Sequence, residues 1–300
     1  MGRIDEALRR SNVDTARGTG AEAPAPAASP WQVEDEAAAL KARPAAGEAR
    51  PEPRGPDKPA GEVAIEPRAA ERLVLAQEAS PLLVEQFRTL AATLLRAQGE
   101  RPLKSLIVTS PSPGDGKSHV ALNLALTLSD SYHRRVLLVD ADLRRPTLHQ
   151  VFRLTNSRGL FEALRADSDE MVATTRISEN LTLLPAGRPQ ANPLAGLSSG
   201  RMKRIVADAS AAFDWVIVDS PPVVVLADAH LVSETVDAAL VVVRAGVTQF
   251  PDLAAAIDTL GHDRVLGVVL NAIDPAEIRS GGYYSHYYGT APSGRASAGR

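Results

Sequence analysis

Between residues 105 and 270, short apolar runs alternate with longer segments whose apolar positions recur every three or four residues. The runs at 105–109, 136–140, 181–185, 215–219, 238–243 and 265–270 are apolar at consecutive positions, so both of their faces would be covered. That pattern suits strands inside a parallel sheet. The segments at about 117–130, 158–166, 198–212, 228–235 and 251–261 read as helices. A further helix is predicted over 80–97, opening on Ser80-Pro81 and carrying Leu82, Leu83, Phe87, Leu90 and Leu94 on one face. Strands spaced by helices imply right-handed βαβ crossovers. The expected fold is therefore α/β, a predominantly parallel sheet flanked by helices. Ligands of such sheets lie at the carboxyl ends of the strands.

The flanks read differently. Residues 3–11 form a short charged helix candidate with Ile4, Ala7 and Leu8 on one side, too short to be stable alone. From 12 to 72 the chain is rich in Ala, Pro, Glu and Arg, with nine prolines between Pro24 and Pro67 and little periodicity. Such a segment buries too little apolar surface to offset its ordering. As a disordered tether, about 60 residues would span roughly 40–45 Å. The division expected is a short helix at 1–11, a linker at 12–72, a folded domain at 73–276 and a flexible tail at 277–300.

Composition narrows the classes. A net charge of −3 is too near neutral for bulk nucleic-acid binding. Cysteine is absent, which fits a reducing compartment and excludes disulfide or zinc-thiolate scaffolds. No apolar run approaches the roughly 18 residues of a membrane span, and no hydrophobic signal core opens the chain.

The first predicted strand runs into Ser110-Pro-Ser-Pro-Gly114-Asp115-Gly116-Lys117-Ser118-His119, and a helix follows. Strand, glycine-bearing loop and helix is a polyphosphate cradle: backbone N–H groups point at anionic oxygens and the helix dipole adds positive charge. Gly114 through His119 would contact nucleotide, Lys117 reaching the β/γ-phosphates and Ser118 ligating Mg²⁺. The pattern G-x-x-x-x-G-K-[ST] asks for glycine at 111, where this chain has Pro111. Neither Pro111 nor Pro113 offers an N–H, so the cradle begins at Gly114.

The second strand ends Val139-Asp140-Ala141-Asp142-Leu143-Arg144. Side chains two apart on a strand share a face, so both carboxylates would point at the phosphates. The strand ending at Asp219 supplies another carboxylate. Ser118, Asp142 and Asp219, partly through water, would hold Mg²⁺. Asp140 is the candidate to accept or orient a proton, although two carboxylates so close can exchange roles. Arg144 reads as a phosphate contact, a contact to a neighbouring chain or a solvated charge. Asp228 reads as a helix cap or a site residue.

Together S-P-x-P-G-D-G-K-S, V-D-A-D-L-R-R-P and V-I-V-D-S-P-P, with a tyrosine-rich tail, resemble the bacterial tyrosine kinases of capsular and exopolysaccharide assembly. The resemblance implies a MinD/ParA-like P-loop fold, with Lys117 and Ser118 in the Walker A motif, Asp140 and Asp142 in Walker A′, and Asp219 in Walker B. It implies ATP and Mg²⁺ as cofactors and catalytic roles for Lys117, Asp140 and Asp142. The family helix carries E-x-x-R-x-x-R, which joins subunits into a ring. Here Glu85 and Arg88 match, and Ala91 replaces the second arginine. Four of the five tyrosines, Tyr283, Tyr284, Tyr287 and Tyr288, fall in the tail and are the expected autophosphorylation acceptors.

The resemblance further implies a membrane polysaccharide co-polymerase as activating partner, a tyrosine phosphatase, a homo-oligomer, and a cytoplasmic location peripheral to the inner membrane. Two other readings stay open: a MinD/ParA-like ATPase switch and a nucleotide-binding regulatory partner. MinD/ParA-like switches carry an extra lysine near the loop's start, where this chain has Ser112. The basic cluster Arg201-Met202-Lys203-Arg204 reads as a solvated helix face.

Overall fold

In this computed structural model, residues 31–34, 64–76, 79–165 and 172–274 are described. The central strands are apolar at consecutive positions because both faces are covered. Strands β2 (Ser105–Thr109), β3 (Val136–Asp140) and β6 (Trp215–Asp219) are buried at every position. With β1 (Trp31–Glu34), β4 (Val172–Arg176), β5 (Leu181–Leu184), β7 (Ala238–Arg244) and β8 (Val265–Asn271) they form one sheet. The strand order is β1-β4-β5-β3-β6-β2-β7-β8. Pairing from β5 to β8 is parallel; β4 runs antiparallel to β5, and β1 follows the direction of β4.

Alternation along the strands divides the core in two. Leu106, Val108, Leu138 and Ile217 pack with helices α2 (Pro81–Glu100) and α3 (Lys117–Asp130). Ile107, Leu137, Val139 and Val218 pack against the other layer. That layer contains α5 (Leu160–Arg165), α6 (Leu194–Leu197), α7 (Gly200–Ala212), α8 (Ala227–Ser233) and α9 (Phe250–Leu260). The short helices α1 (Pro67–Ala70) and α4 (Leu148–Val151) complete the chain order. Two covered faces make the sheet a rigid shelf, and its carboxyl edge holds the loop after β2.

Described residues also lie before the boundary expected at residue 73. Trp31–Glu34 joins the sheet beside β4, and residues 64–74 pack on the domain. Glu66 N–H donates to Val151 C=O at 2.8 Å, and Val74 N–H donates to Asn123 Oδ1 at 2.8 Å. Composition weighs side chains, whereas an edge strand recruits a partner through unpaired backbone groups. The helix expected at 3–11 and the tail at 277–300 lie outside the described residues. Among the described residues, no helix is long and apolar enough to cross a membrane.

Candidate nucleotide and phosphoryl-transfer site

The loop between β2 and α3 turns through two left-handed glycines, Gly114 at φ 88° and Gly116 at φ 96°. Both conformations favour glycine. At Gly116 a Cβ would also collide with the Asn271 side-chain amide. Asp115 turns its carboxylate inward, accepting from Ser112 N–H at 3.0 Å and from Thr248 Oγ1 at 2.8 Å. Asn271 Nδ2 donates to Asp115 C=O at 2.9 Å. Asp115 therefore fixes the loop with its side chain and leaves only its N–H for a phosphate. Thr248 and Asn271 carry no motif and were missed in the sequence. Their signal is position, since Thr248 follows the carboxyl end of β7 and Asn271 is the last residue of β8.

Lys117 Nζ lies 3.6 Å from Asp142 Oδ2. The shared-face expectation for Asp140 and Asp142 does not hold, because β3 ends at Asp140 and Asp142 sits on the turn beyond it. Asp140 is fully buried. Its Oδ1 accepts from Asp142 N–H at 3.2 Å, and its Oδ2 accepts from Thr147 and Leu148 N–H at 3.1 Å each. This carboxylate organises the 142–148 turn, while Asp142 faces the lysine.

Asp140 and Asp219 are register partners on adjacent strands, and both are fully buried. Burial pushes Asp140 up to about 8, with the Asp219 charge adding and the amides opposing. Burial likewise raises Asp219 to about 7, against the pull of Lys117 and of the Ser118 hydroxyl. Ser118 and the Ser220 amide lie towards Asp219, yet neither meets hydrogen-bond geometry, and both Asp219 oxygens remain unpartnered. A buried carboxylate without a donor fits a cation position. Among the described residues, no three acidic or imidazole side chains form a ready metal cage. Mg²⁺ needs only one or two carboxylates beside phosphate oxygens.

The remaining expected residues divide. Arg144 pairs with buried Asp228, Nε to Oδ2 at 2.6 Å and Nη2 to Oδ1 at 3.1 Å, and its Nη1 donates to Ala191 C=O at 2.6 Å. Each therefore satisfies the other; Arg144 is not simply solvated, and Asp228 is not the N-cap of α8, which is Leu226. His119 packs edge-on against Phe87 with ring centroids 6.3 Å apart. Burial, then the charge of Arg72, lowers its pKa. Its side chain serves the α2–α3 contact, and only its N–H is left to the cradle. Glu85 and Arg88 form a half-exposed pair at 2.9 Å. Ala91 is fully buried in the core.

The chain is similar to known proteins in sequence and fold. Residues 106–281 match the family of the CobQ/CobB/MinD/ParA nucleotide binding domain. The chain is 34% identical over 220 residues to the tyrosine-protein kinase YwqD of Bacillus subtilis (strain 168), covering 72% of this chain and 92% of that protein. It is 30% identical over 209 residues to the putative tyrosine-protein kinase CapB of Staphylococcus aureus, covering 68% of this chain and 90% of that protein. The kinase domain of the Escherichia coli tyrosine kinase ETK superposes with a TM-score of 0.59 at 29% identity, covering 64% of this chain and 76% of that domain. The chimerical protein CapA2B2 superposes with a TM-score of 0.60 at 28% identity, covering 67% and 90%. The chain belongs to the bacterial tyrosine-protein kinases, within the MinD/ParA class of P-loop nucleotide-binding domains.

Proposed function

We propose that this chain is an ATP- and Mg²⁺-dependent tyrosine autokinase whose acceptors are Tyr283, Tyr284, Tyr287 and Tyr288. The observation that carries this reading is the unpartnered Asp219 carboxylate beneath the loop, close to Ser118 and to the Lys117–Asp142 pair. Ser118, Asp142 and Asp219 are the groups that would hold Mg²⁺, which when bound supplies positive charge for phosphate oxygens. The chain's own work is positioning and charge compensation, the main demands of phosphoryl transfer. Lys117 sits at the loop's end with its ammonium within the site. The N–H groups from Gly114 to His119 would face the phosphates beside it. Asp142, beyond the strand and beside Lys117, is better placed than Asp140 to orient a phenolic proton.

In the cell the kinase would regulate exopolysaccharide or capsule polymerisation and export. It would be cytoplasmic and peripheral to the inner membrane, activated there by a polysaccharide co-polymerase and reset by a tyrosine phosphatase. Glu85 and Arg88 would contribute to a homo-oligomer. Each phosphotyrosine adds about −1.5 to −2 of charge, enough in a cluster of four to loosen subunits held by tail contacts. The test is mass spectrometry of the purified full chain after incubation with Mg-ATP. Phosphate on residues 283–288, absent in Lys117→Met, is expected. ATP turnover with no phosphotyrosine would replace this reading with an ATPase switch.

A further inference from the structure

An apolar groove of about 600 Å³ runs between α2 and β8, reaching Val120 of α3 and Asn271, the residue that holds Asp115 of the phosphate loop. Leu83, Phe87 and Leu90 line one wall, and Val268 and Leu270 line the other. Val268 is 45% exposed and Leu270 55%, apolar surface on a strand that is at the sheet's edge among the described residues. Edge strands of this kind are usually blunted or covered. Ser80, Gln86, Thr89, Thr93 and Asn271 add polar groups to the lining. An apolar body with a polar edge suits a phenol, whose ring wants burial and whose hydroxyl wants a partner.

The groove's end is formed by Ala272 and Ile273, immediately before the segment that carries four tyrosines within six residues. Ten residue steps separate Ile273 from Tyr283. At roughly 3.3 Å per step the segment reaches about 33 Å. The α2 wall, from residue 80 to 93, is about 20 Å long at 1.5 Å per residue. A tether this short holds its cargo at an effective concentration in the millimolar range, ahead of any free partner. Few other aromatics exist in the chain to fill such a surface, since aromatic residues are 4% of it.

We propose that the groove between α2 and β8 is the resting seat of this chain's own tail, taking the unphosphorylated side chains of the 283–288 cluster. Docking in cis withholds the acceptors from transfer, and from contacts with other subunits, until they are released. Phosphorylation replaces a phenol by a doubly charged ester, which an apolar wall does not accept, so a modified tail stays out. The docking itself does not depend on the kinase reading; only its consequence for transfer does.

The absence of cysteine makes a direct test possible in the full chain. In Gln86→Cys/Tyr287→Cys, without nucleotide, mild copper–phenanthroline oxidation should form an intrachain disulfide. Adding Leu270→Asp places a charge in the groove at a position exposed enough to leave the fold unchanged, which thermal melting verifies. It should slow the cross-link at least tenfold, separating docking from random encounters of a tethered tail. An unchanged rate, an interchain disulfide or no disulfide would each overturn the proposal. No phosphate moves in this experiment, so its failure leaves the kinase reading intact. Failure of the kinase reading shows instead as a tail that stays unphosphorylated with Mg-ATP.

Discussion

A buried carboxylate without a hydrogen-bond donor is a standing cost to the fold, and Asp219 is one. Its amide counterpart fills the same space without a charge. We therefore expect metal-free Asp219→Asn to melt no lower than the parent, while losing the thermal shift caused by Mg-nucleotide. A parent-like shift would remove Asp219 from the metal position. The same residue sets a pH dependence. The folded pKa values of Asp140 and Asp219, about 8 and about 7, lie above the unfolded value for aspartate, about 3.9. Between those limits the folded state binds more protons than the unfolded chain, so stability falls as pH rises. With metal chelated, urea midpoints should decline from about pH 5 to about pH 8, and the slope should be shallower in Asp219→Asn. A flat midpoint over that interval would mean that the pair is already ionised in the fold.

At the scale of elements, α2 joins two roles on different faces. Glu85 and Arg88 face outward as a half-exposed pair, while Phe87, Ala91 and Leu94 enter the core. The family's second arginine thus falls here at a fully buried position. Restoring it by Ala91→Arg should cost about 1–3 kcal/mol through overpacking alone. Chemical denaturation should show that loss, and sedimentation should show no stronger assembly. Parent-like stability with tighter assembly would show that α2 can rotate or shift to expose this position. The helix itself was legible from its apolar spacing, as were the strands with two covered faces. The strands β1 and β4, the last two at one end of the sheet, were not, because they are recruited by backbone pairing and carry no continuous apolar run. The site divides similarly. Lys117, Ser118 and the three aspartates stand in contiguous motifs, whereas Thr248 and Asn271 reach the loop only through the sheet's strand order.

For the whole molecule, the decisive connection is between the segment preceding the domain and the helix that starts at the phosphate loop. Asn123, buried on α3, accepts from Val74 N–H at 2.8 Å and donates to Arg72 C=O at 3.2 Å. One side chain thereby satisfies a donor and an acceptor of a strand of chain about fifty residues away, beside the helix that carries Lys117 and Ser118. Replacing it by alanine leaves both backbone groups without that partner, a loss of about 1–3 kcal/mol. Asn123→Ala should show it as a lower urea midpoint. Removing residues 1–63 deletes β1 and its pairing with β4, so the midpoint of that truncation is the baseline for the next. Removing residues 1–76 should reproduce most of the Asn123→Ala loss, and adding Asn123→Ala to that truncation should cost less than it does in the full chain. Equal costs in both backgrounds would show that Asn123 stabilises α3 by itself and that the preceding segment does not bear on the phosphate loop.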